Sequence, residues 1–225
     1  MLLYYITDRK SFGGTDAQNL EALLSRVTDA ARAGVDWIQL REKDLSAREL
    51  EHLAHEVVRA VRSNSATTKV LINGRADVAV AVGADGVHLP AGEPSAQEVR
   101  AIWSHCKRSP ALIGVSAHTS PDVDRAHAEG ADFVVFGPVF EKVQTYTPGI
   151  GVDALRAAGA QPLNPLSQNA LARFPVLALG GIAIANAKAC LEAGASGVAG
   201  IRLFQHGNLL DTVRRLRELS PLGSV

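Results

Sequence analysis

Val82-Gly-Ala-Asp-Gly-Val-His-Leu89 decides how this chain is read, because its pattern occurs three more times. Ala33-Gly-Val-Asp-Trp-Ile-Gln-Leu40 precedes it, and Glu129-Gly-Ala-Asp-Phe-Val-Val-Phe136 and Ala193-Gly-Ala-Ser-Gly-Val-Ala-Gly200 follow it. In each copy an alanine-rich helical stretch stops at a glycine, and a short apolar strand begins within two residues. The residue just past a helix end often needs a positive φ, which glycine adopts without steric cost. The four glycines, Gly34, Gly83, Gly130 and Gly194, are spaced by 49, 47 and 64 residues. Such spacing marks one supersecondary unit used repeatedly.

Between the repeats lie four further apolar runs, at 2–6, 70–72, 112–115 and 176–179. Each precedes a predicted helix, near 19–33, 76–82, 120–129 and 183–193. Helices near 46–63, 95–104, 152–159 and 207–219 follow the repeat strands. Eight strands alternate with eight helices at about 28 residues per unit, which calls for a parallel sheet closed on itself. The expectation is an α/β fold, a single (β/α)8 TIM barrel forming one domain over residues 1–225. A doubly wound open sheet would not favour the fourfold pattern. Two stretches break the rhythm. One is the Gly-Gly loop at 9–16 after strand 1. The other, at 159–174, contains Pro162 and Pro165 and reads as an irregular connection with a short helix at 166–172.

Composition narrows the function. Hydrophobic residues make up 47% and charged residues 20%, enough apolar material for a packed core. Lys plus Arg equals Asp plus Glu at 23 each, and the pI is about 7.1. A neutral chain lacks the basic field of a nucleic-acid binder. No apolar run approaches the ~20 residues of a membrane span. The opening Met1-Leu-Leu-Tyr-Tyr-Ile-Thr-Asp8 meets an acid too early for a secretory signal. A cytoplasmic enzyme with no nucleic-acid or membrane partner is therefore expected. Cys106 and Cys190 fit no metal motif, disulfide framework or nucleophile signature.

Barrel chemistry sits just past the strand ends. There the sequence places Thr7-Asp8, Gln39 to Lys43, Asn73-Gly74-Arg75, His88-Leu89-Pro90, Ser116 to Thr119, Gly137 to Phe140, Gly180-Gly181 and Gly200-Ile201-Arg202. Gly180, Gly181 and Gly200 let backbone N–H groups approach a phosphate after strands 7 and 8, although tight turns alone would also use them. Arg41 and Lys43 share the register of Gln39 on an extended strand and offer donors to an anionic or heteroaromatic substrate. The alternative is a surface run, Arg41-Glu42-Lys43, that merely solvates a loop, and Gln39 decides against it. Gln39, a polar residue in an apolar strand, requires a buried partner. Asn73 is a candidate substrate ligand or a turn residue beside Gly74. His118 is the candidate general acid and base, since its ordinary pKa is near neutrality. His88 is equally suited to the core, and Trp37 and Trp103 read as packing.

Several of these stretches carry a resemblance. Tyr5-Ile-Thr-Asp8, Ile38-Gln-Leu-Arg-Glu-Lys43, Ala84-Asp-Gly-Val-His-Leu89, Gly114-Val-Ser-Ala-His-Thr119, Phe136-Gly-Pro-Val-Phe140 and Ala178-Leu-Gly-Gly-Ile182 resemble the thiamine phosphate synthase/TenI superfamily, in order along nearly the whole chain. The resemblance implies a (β/α)8 barrel and one of two activities. The synthase joins a pyrimidine diphosphate to a thiazole phosphate with Mg²⁺. The TenI branch includes a metal-free tautomerase that aromatises a carboxythiazole phosphate.

Departures from the synthase pattern direct the expectation to the tautomerase. Asn73-Gly74-Arg75 stands where the synthase has Asn-Asp-Arg, whose Asp helps hold Mg²⁺. Pro90-Ala-Gly-Glu93 replaces Gly-Gln-x-Asp, leaving Glu93 as the only stand-in for the second carboxylate. The Thr-x-Thr-Lys loop is displaced, and Ile201-Arg202 replaces a phosphate-binding Val-Ser. The expectation is an isomerase without cofactor. His118 would shuttle the proton. Gln39, Arg41, Lys43, Asn73 and Ser116 would hold the thiazole, and Gly180, Gly181, Gly200, Ile201 and Arg202 its phosphate. The alternatives are a Mg²⁺-dependent synthase using Glu93, and a non-catalytic regulator that binds the phosphorylated thiazole. The resemblance also suggests a homodimer.

Overall fold

Runs of β-branched and aromatic residues favour a pleated, half-buried surface, and here they form eight short strands. In the computed structural model, which describes residues 1–92, 94–106, 109–141, 147–159 and 173–219, these strands close into a parallel barrel in chain order. They are β1 (Leu2–Ile6), β2 (Trp37–Leu40), β3 (Lys69–Asn73), β4 (Gly86–Leu89), β5 (Leu112–Ala117), β6 (Phe133–Phe136), β7 (Val176–Ala178) and β8 (Gly197–Gly200). The ring closes where Leu2 to Tyr5 pair with Gly197 to Gly200. The expected (β/α)8 barrel is the fold.

Around it lie α1 (Asp16–Ala33), α2 (Ala47–Arg62), α3 (Ala76–Val82), α4 (Ala96–His105), α5 (Ser120–Ala128), α6 (Val152–Gly159), α7 (Ile184–Glu192), α8 (Arg202–Gln205) and α9 (Leu209–Glu218). Reciprocal caps start four of them: Thr15 with Gln18, Ser46 with Glu49, Ser95 with Glu98 and Thr119 with Asp122. Each such cap satisfies N–H groups that the helix cannot and contributes about 1 kcal/mol. The repeat glycines end helices or the turn after them at φ between 68° and 97°.

The repeat aspartates have a separate task. Asp36 Oδ2 accepts from the Leu3 amide at 2.7 Å, Asp85 Oδ2 from Val70 at 2.8 Å and Asp132 Oδ2 from Ile113 at 2.7 Å. Each carboxylate thereby clips an even-numbered strand to its predecessor at the floor of the barrel. Ser196 occupies the fourth position and makes the backbone contacts, donating to Val176 O and accepting from Leu2 N.

Side chains alternate along the strands and split the core in two. Leu3, Tyr5, Ile38, Leu40, Val70 and Ile72 pack outward against helices such as α2, whose Leu50, Leu53, Ala54, Val57, Val58 and Val61 follow helical periodicity. Tyr4, Leu71, Phe133, Val135, Leu177 and Ala199 fill the interior. Trp37 lies against Phe133 at a centroid distance of 4.4 Å, so it packs the interior as expected. Trp103 is buried in the helix layer and donates to Ser109 O.

Two elements differ from the sequence reading. Arg9–Phe12 forms a 3-10 turn inside the expected loop, and α8 is an additional helix between β8 and α9. Four residues carry too little local signal for a helix. A tertiary contact holds α8 instead: buried Gln205 accepts from Tyr5 Oη at 3.1 Å and from the Asp8 amide at 3.2 Å. The helix expected at 166–172 lies outside the described residues.

Candidate active site

The carboxyl ends of the strands open on one mouth, where neighbouring strands bring candidate residues together. Gln39, only 1% exposed, donates from Nε2 to Asn73 Oδ1 at 2.8 Å. This is the partner its place in an apolar strand demanded. Its Oε1 is buried with no hydrogen-bond partner among the described residues. A buried acceptor left without a donor is costly.

Arg41 is half-buried just past β2. Its amide donates to Thr7 Oγ1 at 2.9 Å, and Thr7 in turn donates to Glu42 Oε1 at 2.6 Å. Glu42 also accepts from the Arg9 amide and, at 3.2 Å, from Arg9 Nη1. Arg9 continues to Asp44 through two bonds of 2.7 Å. Burial pushes the Glu42 carboxyl above its usual range, while the Thr7 and Arg9 bonds oppose it. The Arg9 guanidinium holds Asp44 well below the carboxylate range. Sequence reasoning treated Glu42 as part of a possible solvated run; it is instead buried with Arg9 beneath the mouth. The expected shared register of Gln39, Arg41 and Lys43 is corrected as well. The strand stops at Leu40, and Lys43 is exposed in a turn in which Leu45 N reaches Glu42 O. Glu42 turning inward to its partners diverts the chain there.

On the next strands, His88 is buried between Tyr4 and Ser116. Burial, aided by the charge of Arg41, lowers its pKa to about 3. His118 is exposed at the end of β5, and its Nδ1 donates to Gly137 O at 2.5 Å. Because that bond uses the proton on Nδ1, neutral His118 keeps Nε2 as a free lone pair. The other histidines outside the mouth are exposed, except half-buried His127, which stacks on Phe174.

Across the mouth, Gly180 and Gly181 take φ of 95° and 62°. A Cβ on Gly180 would lie 2.5 Å from Pro138 Cβ, and one on Gly181 2.7 Å from Phe140 Cβ. Packing alone thus requires both glycines, and a close anion would use the same lack of side chain. A Cβ on Gly200 would sit 3.1 Å from Leu203 Cβ. Ile201 precedes α8, and Arg202 is exposed on its first turn.

Gly74 brings no side chain to the first of the metal positions suggested by the resemblance, and its φ of 65° marks a turn. Glu93 lies outside the described residues. Asp77, the next carboxylate after Gly74, is held by Arg75 at 2.6 and 2.8 Å. Among the described residues, no group of three or more His, Cys, Asp or Glu side chains could hold a metal. Among the same residues, no helix is long and apolar enough to cross a membrane.

Comparison with known proteins matches residues 3–204 to the family described as thiamine monophosphate synthase. A Geobacter sulfurreducens protein named "Putative thiamine-phosphate synthase" is 42% identical over 88% of this chain and 83% of its own. The thiamine-phosphate synthase of a Roseiflexus species is 36% identical over 88% and 75% respectively. Among solved structures, the thiamine phosphate pyrophosphorylase of Pyrococcus furiosus superposes with a TM-score of 0.76. It is 26% identical and covers 97% of this chain and 94% of that one. These relatives overturn the isomerase expectation, since the activity they are named for is a transfer. The departures at Gly74, at 90–93, in the threonine loop and at Ile201-Arg202 are a few positions against a likeness spread over some two hundred residues.

Proposed function

The chain belongs to the thiamine monophosphate synthase family of thiamine-biosynthesis enzymes, and we propose that it acts there as a thiamine-phosphate synthase, a transferase. In that reaction the bond between the pyrimidine-bearing carbon and the diphosphate oxygen breaks. A bond from that carbon to the thiazole nitrogen forms, and diphosphate leaves. The likeness to thiamine-phosphate synthases over nearly nine-tenths of the chain carries this reading.

The geometry of the mouth fits two ligands of different chemistry. Gln39 and Asn73 form a fixed amide pair whose unused Oε1 suits a donor on a heteroaromatic ring. Arg41, held at the mouth through Thr7, supplies a permanent cation for the departing diphosphate, with Lys43 more distant in solvent. Gly180, Gly181, Gly200, Ile201 and Arg202 are the proposed cradle for the phosphate of the thiazole. Ser116 adds a hydroxyl from β5. His118 keeps its place at the rim, but a transfer has no need of the two-way proton shuttle assigned to it under the isomerase expectation. The family resemblance suggests Mg²⁺, an ion that commonly relies on substrate phosphates for several of its ligands.

Purified protein incubated with the pyrimidine diphosphate and thiazole phosphate, with and without Mg²⁺, tests the proposal. Thiamine phosphate and diphosphate appearing in equal amounts is the expected result. Saturable binding of thiazole phosphate with no product under either condition would overturn it in favour of the regulator.

A further inference from the structure

Three side chains form a line through the barrel interior to the mouth. Tyr4 Oη lies 3.3 Å from His88 Nδ1, and His88 Nε2 lies 3.0 Å from Ser116 Oγ. Tyr4 and His88 are buried, whereas Ser116 is half-buried at the end of the line. The Tyr4 ring meets Trp37 and Phe133 edge-on, at centroid distances of 5.9 and 5.5 Å. Among the described residues, His88 is the sole hydrogen-bond partner of the Tyr4 phenol.

That isolation sets the direction of each proton. A neutral imidazole has one donor and one acceptor. Burial, reinforced by Arg41, keeps His88 neutral, and burial raises the Tyr4 phenol so that it keeps its proton. Were the ring proton on Nδ1, the Tyr4 O–H would face an aromatic wall with nothing to accept it. A buried donor without a partner is penalised more heavily than a formed bond is rewarded. With Nδ1 accepting, Tyr4 is satisfied and the ring proton moves to Nε2, which donates to Ser116 Oγ. The hydroxyl proton of Ser116 is then free for the mouth.

We infer that Tyr4 and His88 are positioning residues that lock the imidazole as its Nε2–H tautomer and present Ser116 as a hydrogen-bond donor to an acceptor atom of the substrate. The last step rests on the proposed reading of the mouth as a substrate site; the tautomer does not. Only Ser116 meets the substrate, and Tyr4 acts through two intervening bonds.

Nitrogen-15 NMR of the histidine rings in ligand-free, full-length protein tests the ordering, with His88 assigned by its loss in His88→Gln. The expected spectrum shows a neutral ring protonated on Nε2. In Tyr4→Phe the bias disappears and a mixture of tautomers emerges. There kcat falls about threefold to tenfold, as expected for one hydrogen bond, with little change in KM. A wild-type ring protonated on Nδ1 overturns the inference, and the wild-type spectrum decides it even if Tyr4→Phe fails to fold. A tautomer population unchanged in Tyr4→Phe overturns the part assigned to Tyr4. If the wild type has Nε2–H but forms no thiamine phosphate, the ordering stands and the functional reading fails.

Discussion

The floor and the mouth of this barrel are built by opposite rules. At the floor one device is repeated: Asp36, Asp85 and Asp132 each accept the amide of a residue on the preceding strand at 2.7–2.8 Å. At the mouth almost every strand ends differently, in Thr7, Gln39, Asn73, His88, Ser116 or a glycine pair. The floor leaves its polar groups matched, while the mouth buries an ion pair, an unpartnered amide oxygen and a neutral histidine. Matched groups stabilise, whereas buried groups awaiting partners cost stability and keep binding capacity. Floor substitutions should therefore change stability alone, and mouth substitutions chiefly activity.

Glu42 tests that division most severely because it lies beneath the mouth yet is bonded like a structural group. Glu42→Ala leaves the Arg9 guanidinium with Asp44 alone and removes the acceptor of the Arg9 amide and of Thr7. Each buried donor left without an acceptor costs about 1–3 kcal/mol, and two are left here. Chemical denaturation should show that loss, and steady-state kinetics should show a lower kcat/KM as Thr7, which receives the Arg41 amide, loses its own partner. Unchanged stability would return Glu42 to the solvated run that its sequence suggested. Arg41→Ala should do the reverse. Its folding midpoint should stay near wild type while kcat/KM falls about 10²–10³-fold, the usual effect of losing one charge-stabilising donor. A fall of less than about threefold would remove Arg41 from the site.

The same division explains what the sequence disclosed. A pattern used four times stands out at any single copy, which is why the barrel and most element boundaries were legible from Gly34, Gly83, Gly130 and Gly194 outward. Gln39 was legible at the mouth because a polar residue in an apolar strand breaks a local rule, and Asn73 is the partner it needed. The partnership of Arg9 with Glu42 was not, because 33 residues separate them and each reads alone as a surface charge. For α8 the decisive contact joins Gln205 to residues about 200 positions earlier. The activity was misread for another reason. Gly74 removes one side chain from one position, and local chemistry there says little about the reaction performed by the whole mouth.

His88 lies where the two regions meet and gives the comparison a pH axis. Its folded pKa of about 3 is below the ~6.5 of an unfolded histidine. Between these values the unfolded chain binds a proton that the folded chain does not, so stability falls as pH falls from about 6.5. The linkage amounts to about 1.4 kcal/mol per pH unit, or roughly 2 kcal/mol by pH 5. Urea unfolding at pH 7, 6 and 5 should show this slope in the wild type and a shallower one in His88→Gln. Equal slopes would mean that His88 reaches solvent when protonated, and the interior would then be less sealed than its neighbours suggest.

The smallest effects belong to the floor clips, and their ranking identifies which part of a clip matters. Asp36→Ala leaves the Leu3 amide without its acceptor and takes the carboxylate, 2.8 Å from Nη2, away from Arg217, which keeps its bonds to Met1 O and Gly34 O. Asp132→Ala takes the acceptor from the Ile113 amide and the carboxylate, at 3.0 Å, from Arg100, which keeps its bonds to Ala111 O and Gly130 O. Asp85→Ala removes only the acceptor of Val70, since Arg62 nearby bonds Gly83 O rather than the carboxylate. An unpaired buried amide costs about 1–3 kcal/mol, whereas a partly exposed ion pair adds at most about 1. All three variants should therefore lose similar stability, with Asp36→Ala and Asp132→Ala only slightly below Asp85→Ala, and kcat/KM should stay at the wild-type value in each. A much larger loss in the two arginine-paired variants would transfer the work of the floor from the amide clip to the ion pair. A fall in kcat/KM in any of them would show that strand register set at the floor is felt at the mouth, and the two regions would no longer be separable.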